Sequence, residues 1–302
     1  MPFLSKKNIK PIIPNVLLTN HCNQHCSYCF AQKEMKTTNK KEMSLNDFKR
    51  LILVFQENGI TDLRLMGGEP TIHSKFPEML ELGVNNFKRV LIFSNGLIPE
   101  NSHQAILKHI DKLEFNFNIG TPVFSDKQKR KSLVETISNL ARVTKSSIAF
   151  TIFDLEQNYT KLLEDFAPEA LDNLGVAFSY AKSIYGTKPI FAREDYSFLG
   201  KKIVETIQQI KKKGVKRIYL ECGLKKEMFT KEEYQYLATN ALMKGWGCAG
   251  KWSSFDIAVD LSVFPCFPFY KEIRMKLRED QDLKQLIKQL NKTRGDKGTC
   301  LT

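Results

Sequence analysis

Two hydrophobic periods alternate along the chain. Short apolar runs occupy residues 16–18, 63–66, 90–93, 113–119, 148–153 and 176–180. Several are continuous rather than alternating, which predicts strands covered on both faces. Between them, apolar residues recur at helical spacing. Ser44 opens one such stretch with Asp47 as a capping partner. Leu45, Phe48, Ile52 and Phe55 form its stripe, and Gly59 closes it. Leu133, Ile137 and Leu140 make a second stripe, and Ile203, Ile207 and Ile210 a third. Six strands, each followed by a helix, predict an α/β fold with a parallel sheet curled into a full or partial (β/α)6 barrel. In such folds the chemistry sits at the C-terminal ends of the strands.

After about Gly214 the pattern changes. Residues 217–220 read as a seventh strand, 255–266 as a hairpin turning at Asp260-Leu261-Ser262, and 271–291 as a long amphipathic helix. This predicts a barrel core over 1–213 and a small C-terminal module over 214–302.

Composition narrows the class. The 302 residues are 42% hydrophobic and 26% charged, an ordinary globular balance. No apolar run approaches the roughly 18 residues a membrane helix needs. The basic N-terminus lacks an apolar signal core, so a cytoplasmic protein without membrane partners is expected. The net charge of +13 comes from lysines spread along the sequence. No nucleic-acid motif accompanies it, so it reads as a solvated surface. Seven cysteines, at 22, 26, 29, 222, 248, 266 and 300, read in a cytosolic chain as metal ligands or catalytic groups.

Cys22, Cys26 and Cys29 directly follow the first apolar run, in the spacing Cys-x3-Cys-x2-Cys. Chance yields such a triplet about 0.004 times in a chain of this composition. Three thiolates on one short loop suit three corners of a four-iron, four-sulfur cluster. With no fourth cysteine in the loop, one iron stays open to a substrate or cofactor. The alternative is a zinc site completed by His21 or His25, although structural zinc favours paired Cys-x2-Cys knuckles. The second run leads into Gly67-Gly68-Glu69-Pro70, where two glycines permit close backbone approach, Pro70 stiffens the turn and Glu69 offers an acceptor for an ammonium. The third run ends in Ser94-Asn95-Gly96, and the fourth carries Asn116 and Asn118. Thr151 and Ser179, near the ends of the fifth and sixth, either face the site or are simply polar residues of the barrel interior.

The cysteine spacing, with the aromatic Tyr28 before the last cysteine, resembles the signature of the radical S-adenosylmethionine superfamily. The resemblance implies a partial TIM-like barrel. It further implies a four-iron cluster whose open iron chelates S-adenosylmethionine, and reductive cleavage of that cofactor to a 5′-deoxyadenosyl radical that abstracts hydrogen from a substrate. It assigns Gly67, Gly68, Glu69 and Pro70 to the cofactor's amino group. Ser94 and Asn95 would line the cofactor site with Tyr28, and Asn118 would contact the ribose. The stretch Asn118-Ile119-Gly120 departs from the Ser-x-Asp-Gly pattern of many relatives.

Cys248 and Cys266, separated from Leu261 by twelve and four intervening residues, resemble the first half of the SPASM or twitch extension, with Leu261 in place of the usual glycine. The later Cys-x2-Cys-x5-Cys run of that extension is absent. The resemblance implies at most one auxiliary iron–sulfur cluster, on Cys248, Cys266 and Cys300. Cys222 is either its fourth ligand or a thiol returning a hydrogen atom to a substrate radical.

Enzymes with this extension often modify ribosomally made peptides by crosslinking, thioether formation or epimerisation. Only 21 residues precede Cys22, which leaves no room for an N-terminal peptide-recognition domain. A separate recognition protein or a small-molecule substrate fits that, and flavodoxin or ferredoxin is the expected reductant. An RNA-modifying enzyme and a non-catalytic iron–sulfur electron carrier are the competing classes.

Overall fold

The structure, a computed structural model, describes residues 12–29, 31–32, 39–181, 190–221, 224–242, 254–266, 270 and 273–296. Its frame is seven parallel strands in sequence order: β1 (Ile13–Thr19), β2 (Asp62–Gly67), β3 (Arg89–Ser94), β4 (Leu113–Asn118), β5 (Lys145–Ile152), β6 (Leu174–Tyr180) and β7 (Arg217–Leu220). Beyond β1 the sheet continues through β8 (Ser254–Ile257), parallel to β1, then β9 (Ser262–Phe264) and β10 (Met275–Lys276), both antiparallel. β7 and β10 are the two ends of the sheet, so it is an open, partial barrel rather than a closed one.

The helices are α1 (Leu45–Glu57), α2 (Phe76–Asn86), α3 (Glu100–Lys108), the single turn α4 (Pro122–Ser125), α5 (Lys127–Ala141), α6 (Pro168–Asn173), α7 (Tyr196–Lys212), α8 (Lys231–Asn240) and α9 (Leu283–Asp296). α1 starts where its sequence says it should. Ser44 Oγ accepts from Asp47 N at 3.1 Å, satisfying one of the orphan first-turn amides. Its apolar stripe, with those of α5 and α7, joins one continuous core against the sheet.

The strands alternate more than the apolar runs suggested. Leu63 and Leu65, Val90 and Ile92, Leu113, Phe115 and Phe117 are buried. The intervening Arg64, Met66, Leu91, Phe93, Glu114 and Asn116 are only half-buried. One face therefore packs under the helices, and the other lines an open concavity. The reading of strands covered on both faces fails for β2 to β4 because the unclosed sheet leaves that second face partly uncovered.

The helix expected over 271–291 is also corrected. Met275 and Lys276 pair with Val263 and Ser262, and α9 begins only at Leu283. Asp282 Oδ1 accepts from Lys284 N and Gln285 N, at 2.8 and 3.1 Å, which is an N-cap and sets the start. The hairpin at 258–262 is present. Leu261 sits there at φ 64°, in the left-handed region that favours glycine.

Candidate active site at the cysteine loop

The cysteine loop leaves the C-terminal end of β1 and is tied to four other parts of the chain. Against β2, Gly68 N donates to Thr19 O and Glu69 N to His21 O, both at 2.8 Å. A side chain at Gly68 has no room, since its Cβ would lie 2.0 Å from His21 O and 3.0 Å from Cys22 Cβ. The glycine required by the sequence thus brings β2 against the loop itself. Against β3, Asn95 Nδ2 donates to Asn23 Oδ1 at 2.7 Å and reaches Cys22 Sγ at 3.7 Å, while Asn23 Nδ2 donates to Leu97 O. Beyond β4, Ser27 N donates to Thr121 Oγ1 and the Tyr28 hydroxyl to Ile119 O at 2.7 Å. A fourth tie is the segment at 40–43, where Asn20 N donates to Lys41 O and Met43 N to Leu18 O.

Glu69 lies under the loop with no solvent exposure. Its Oε1 accepts from Thr71 N, Thr71 Oγ1 and Ser94 Oγ, and its Oε2 accepts from Asn95 N at 2.6 Å. It also caps the 3-10 turn Pro70–Ile72, with Pro70 at the first position, where no amide is needed. Burial raises its pKa against the pull of those donors. One carboxylate therefore joins the ends of β2 and β3.

The three thiols are half-buried. Burial pushes the Cys22 thiol up to about 11, opposed by the Gln24 amide and reinforced by Glu69, Cys26 and Cys29. Burial also raises Cys26 and Cys29. Ligation must therefore release protons the site otherwise retains. Tyr28 is stacked on Phe153 with ring centroids 5.2 Å apart, and burial raises its pKa, keeping the hydroxyl a donor.

The donor set fits a cluster. Gly68 backs directly onto Cys22. At Gly120 a Cβ would lie 2.6 Å from Cys26 Sγ and 1.8 Å from Gln24 Oε1. Among the described residues no three His, Cys, Asp or Glu groups are gathered as one ion requires. A cubane instead takes one thiolate per iron. His21 and His25 are exposed loop residues.

The structure brings Cys22, Gly68, Glu69, Ser94 and Asn95 into one bonded group, with Cys26, Cys29 and Tyr28 on the same loop. Asn118 is exposed at the end of β4, and Thr151 Oγ1 and Ser179 Oγ lie 3.3 Å apart on β5 and β6. Cys266 follows β9 and is half-buried. Cys222, Cys248 and Cys300 lie outside the described residues. Asn23, Gln24, Thr71, Gly120 and Thr121 were missed in the sequence. Only Gly120 left a signal there, as a glycine just past a strand end.

A loop of three thiols at the C-terminal mouth of a parallel α/β sheet defines a class of metal-dependent enzyme. The profile of the radical SAM superfamily matches residues 16–166, and the chain belongs to that superfamily of enzymes. Membership implies a 4Fe-4S cluster and S-adenosylmethionine. A probable GTP 3′,8-cyclase of Methanothermobacter thermautotrophicus is 29% identical over 125 residues, covering 40% of each chain. The sporulation killing factor maturation protein SkfB of Bacillus subtilis is 30% identical over 109 residues, 36% of this chain and 26% of SkfB. These matches span well under half of either relative. The Streptococcus suis SuiB structure superposes with TM-score 0.66 at 18% identity over 93% of this chain and 67% of SuiB, and a second SuiB structure is bound to the precursor peptide SuiA. Among the described residues no helix is long and apolar enough to cross a membrane.

Proposed function

We propose that Cys22, Cys26 and Cys29 hold the cluster and that the protein modifies a peptide made on the ribosome. The observation that carries the first part is the bonded group in which Gly68, Glu69 and Asn95 fix a three-thiol loop. Held by Cys22, Cys26 and Cys29, the cluster with S-adenosylmethionine would supply radical chemistry for removing hydrogen from the substrate. The chain's own residues position. Glu69 locks the β2 and β3 turns. The Gly67 and Gly68 backbone shapes the amino-group subsite, and Ser94 and Asn95 bound it. In this reading Tyr28 offers an aromatic face and Asn118, exposed at the end of β4, contacts the ribose.

The peptide reading draws on the resemblance to SkfB and on SuiB, one structure of which holds a precursor peptide. It also draws on Leu261, whose left-handed backbone retains a glycine's conformation at the place where the SPASM-type pattern carries glycine. In this reading the segment 214–302 is an auxiliary module in which Cys266 joins Cys248 and Cys300 on a second cluster. Cys222 is the fourth ligand or a hydrogen-atom donor. The protein works in the cytoplasm with a flavodoxin or ferredoxin, and with a separate recognition protein for the peptide. A small-molecule substrate is the second reading, carried by the similarity to a probable GTP 3′,8-cyclase.

Anaerobic reconstitution with dithionite and S-adenosylmethionine tests this. About eight irons per chain with release of 5′-deoxyadenosine supports both clusters, and about four supports the first alone. Cys26→Ala is expected to lose the open-iron cluster and 5′-deoxyadenosine release while remaining folded by circular dichroism. Full cofactor cleavage by that variant sinks the assignment. Faster 5′-deoxyadenosine release with GTP than with precursor peptides favours the second reading.

A further inference from the structure

Gln24 stands between the first two cysteines of the loop, and its side chain is almost completely buried, at 5% exposure. Burying a primary amide without partners is costly, so its bonding needs an account. Gln24 Oε1 accepts a hydrogen bond from the Cys26 thiol at an Oε1–Sγ distance of 3.7 Å. Gln24 Nε2 is buried with no partner at all. A buried N–H without an acceptor is rarer than an under-satisfied carbonyl. Gly120 presses on the same spot, where any side chain would run into both Oε1 and the sulfur. The amide is therefore held against Cys26 by close packing and by a single long hydrogen bond to its oxygen.

The arrangement suits a protonated thiol. A cysteine bound to iron is a thiolate and has no proton to give, so a carbonyl oxygen facing it becomes repulsive. Rotating the amide by half a turn about its last side-chain bond exchanges two groups of nearly equal shape. It brings the orphaned Nε2–H onto the sulfur and moves no other atom.

We propose that Gln24 is a positioning residue that donates an N–H···S hydrogen bond to Cys26 when that sulfur ligates iron, raising the reduction potential of the cluster. This rests on the reading that Cys26 is an iron ligand. The physical ground is that an added electron increases negative charge on the sulfurs, and a hydrogen-bond donor stabilises the reduced form more than the oxidised one. Cys22 already receives such donors, from Gln24 N at 3.4 Å and Asn95 Nδ2 at 3.7 Å. Gln24 extends the same treatment to the second sulfur, so a single residue serves two ligands, one through its backbone and one through its side chain.

The test compares the reconstituted wild-type protein with Gln24→Met, which keeps the length of the side chain and removes its donor. Iron content is measured first, then the midpoint potential by EPR-monitored titration. The expected result is unchanged iron with a midpoint shifted to more negative potential. Unchanged iron with an unchanged midpoint overturns the inference and leaves the cluster assignment standing. If Gln24→Met loads no iron, the decision passes to wild-type protein carrying glutamine labelled with nitrogen-15 at the side-chain amide. A nitrogen-15 coupling to the reduced cluster by electron–nuclear double resonance supports the bond, and its absence overturns it. Wild-type protein that takes up no iron on the three cysteines overturns the cluster assignment itself, and this inference with it.

Discussion

Strand β1 has a buried acid on each side, and the two are held in opposite ways. On the β2 side, Glu69 accepts four hydrogen bonds, from Thr71 N, Thr71 Oγ1, Ser94 Oγ and Asn95 N. On the β8 side, Asp256 lies across from Asn15 and takes one side-chain hydrogen bond, from Asn15 Nδ2 at 2.7 Å. Asn15 Oδ1 is buried there without a partner. Burial raises both acids, and Asp256 is pushed up to about 7. The same cost of burial is opposed at one seam by a dense donor set and at the other by almost nothing. The dense seam is the one that positions the cysteine loop. The sparse one joins the first strand to the C-terminal strands, where simple pairing suffices.

The sharpest break in this contrast is Glu69→Ala, which strands four donors in the interior. Leaving buried groups unsatisfied in this way should cost roughly 3–5 kcal/mol, read by urea unfolding of the iron-free protein. A loss below 1 kcal/mol would mean that the Glu69 network contributes little.

Asp256→Asn should act in the opposite direction and only at higher pH. The folded state holds the Asp256 proton up to about pH 7, whereas the unfolded chain loses it near its ordinary 3.8. The stability associated with this group is fully present below about pH 4 and is lost as pH rises to about 7. The variant should therefore unfold like wild type at pH 4 and be more stable at pH 8, by up to roughly 4 kcal/mol. Equal stability at pH 8 would show that Asp256 ionises freely in the fold.

Ser94→Ala is the smallest change. It removes one of the Glu69 donors and the acceptor of Gly96 N. A loss of about 1–2 kcal/mol is expected in the same unfolding assay.

The parallel strands, α1 and the cysteine loop were legible because each follows from local pattern: apolar runs, a Ser44 cap, a tight cysteine triplet. The start of α9 was also encoded, in Asp282, but the apolar residues Ile273 and Leu277 continue a helical spacing through β10 and masked it. The Gly-Gly-Glu turn was found for a different reason from the one the structure displays. Its glycines admit the backbone of the cysteine loop, and Glu69 is filled by donors from its own chain. Gln24 and Thr121 carry no periodicity and no motif. Their place depends on β4 and its following turn being brought to β1, which only tertiary structure reveals.

The ties of the cysteine loop also set an order of events during synthesis. All three thiols leave the ribosome before the residues that hold them: Glu69, then Asn95 and Leu97, then Ile119 and Thr121. A nascent chain therefore exposes reactive sulfur long before it owns a socket for it. Orderly iron loading is a step for the chain that has emerged past β4, and until then the thiols depend on the reducing power of their surroundings.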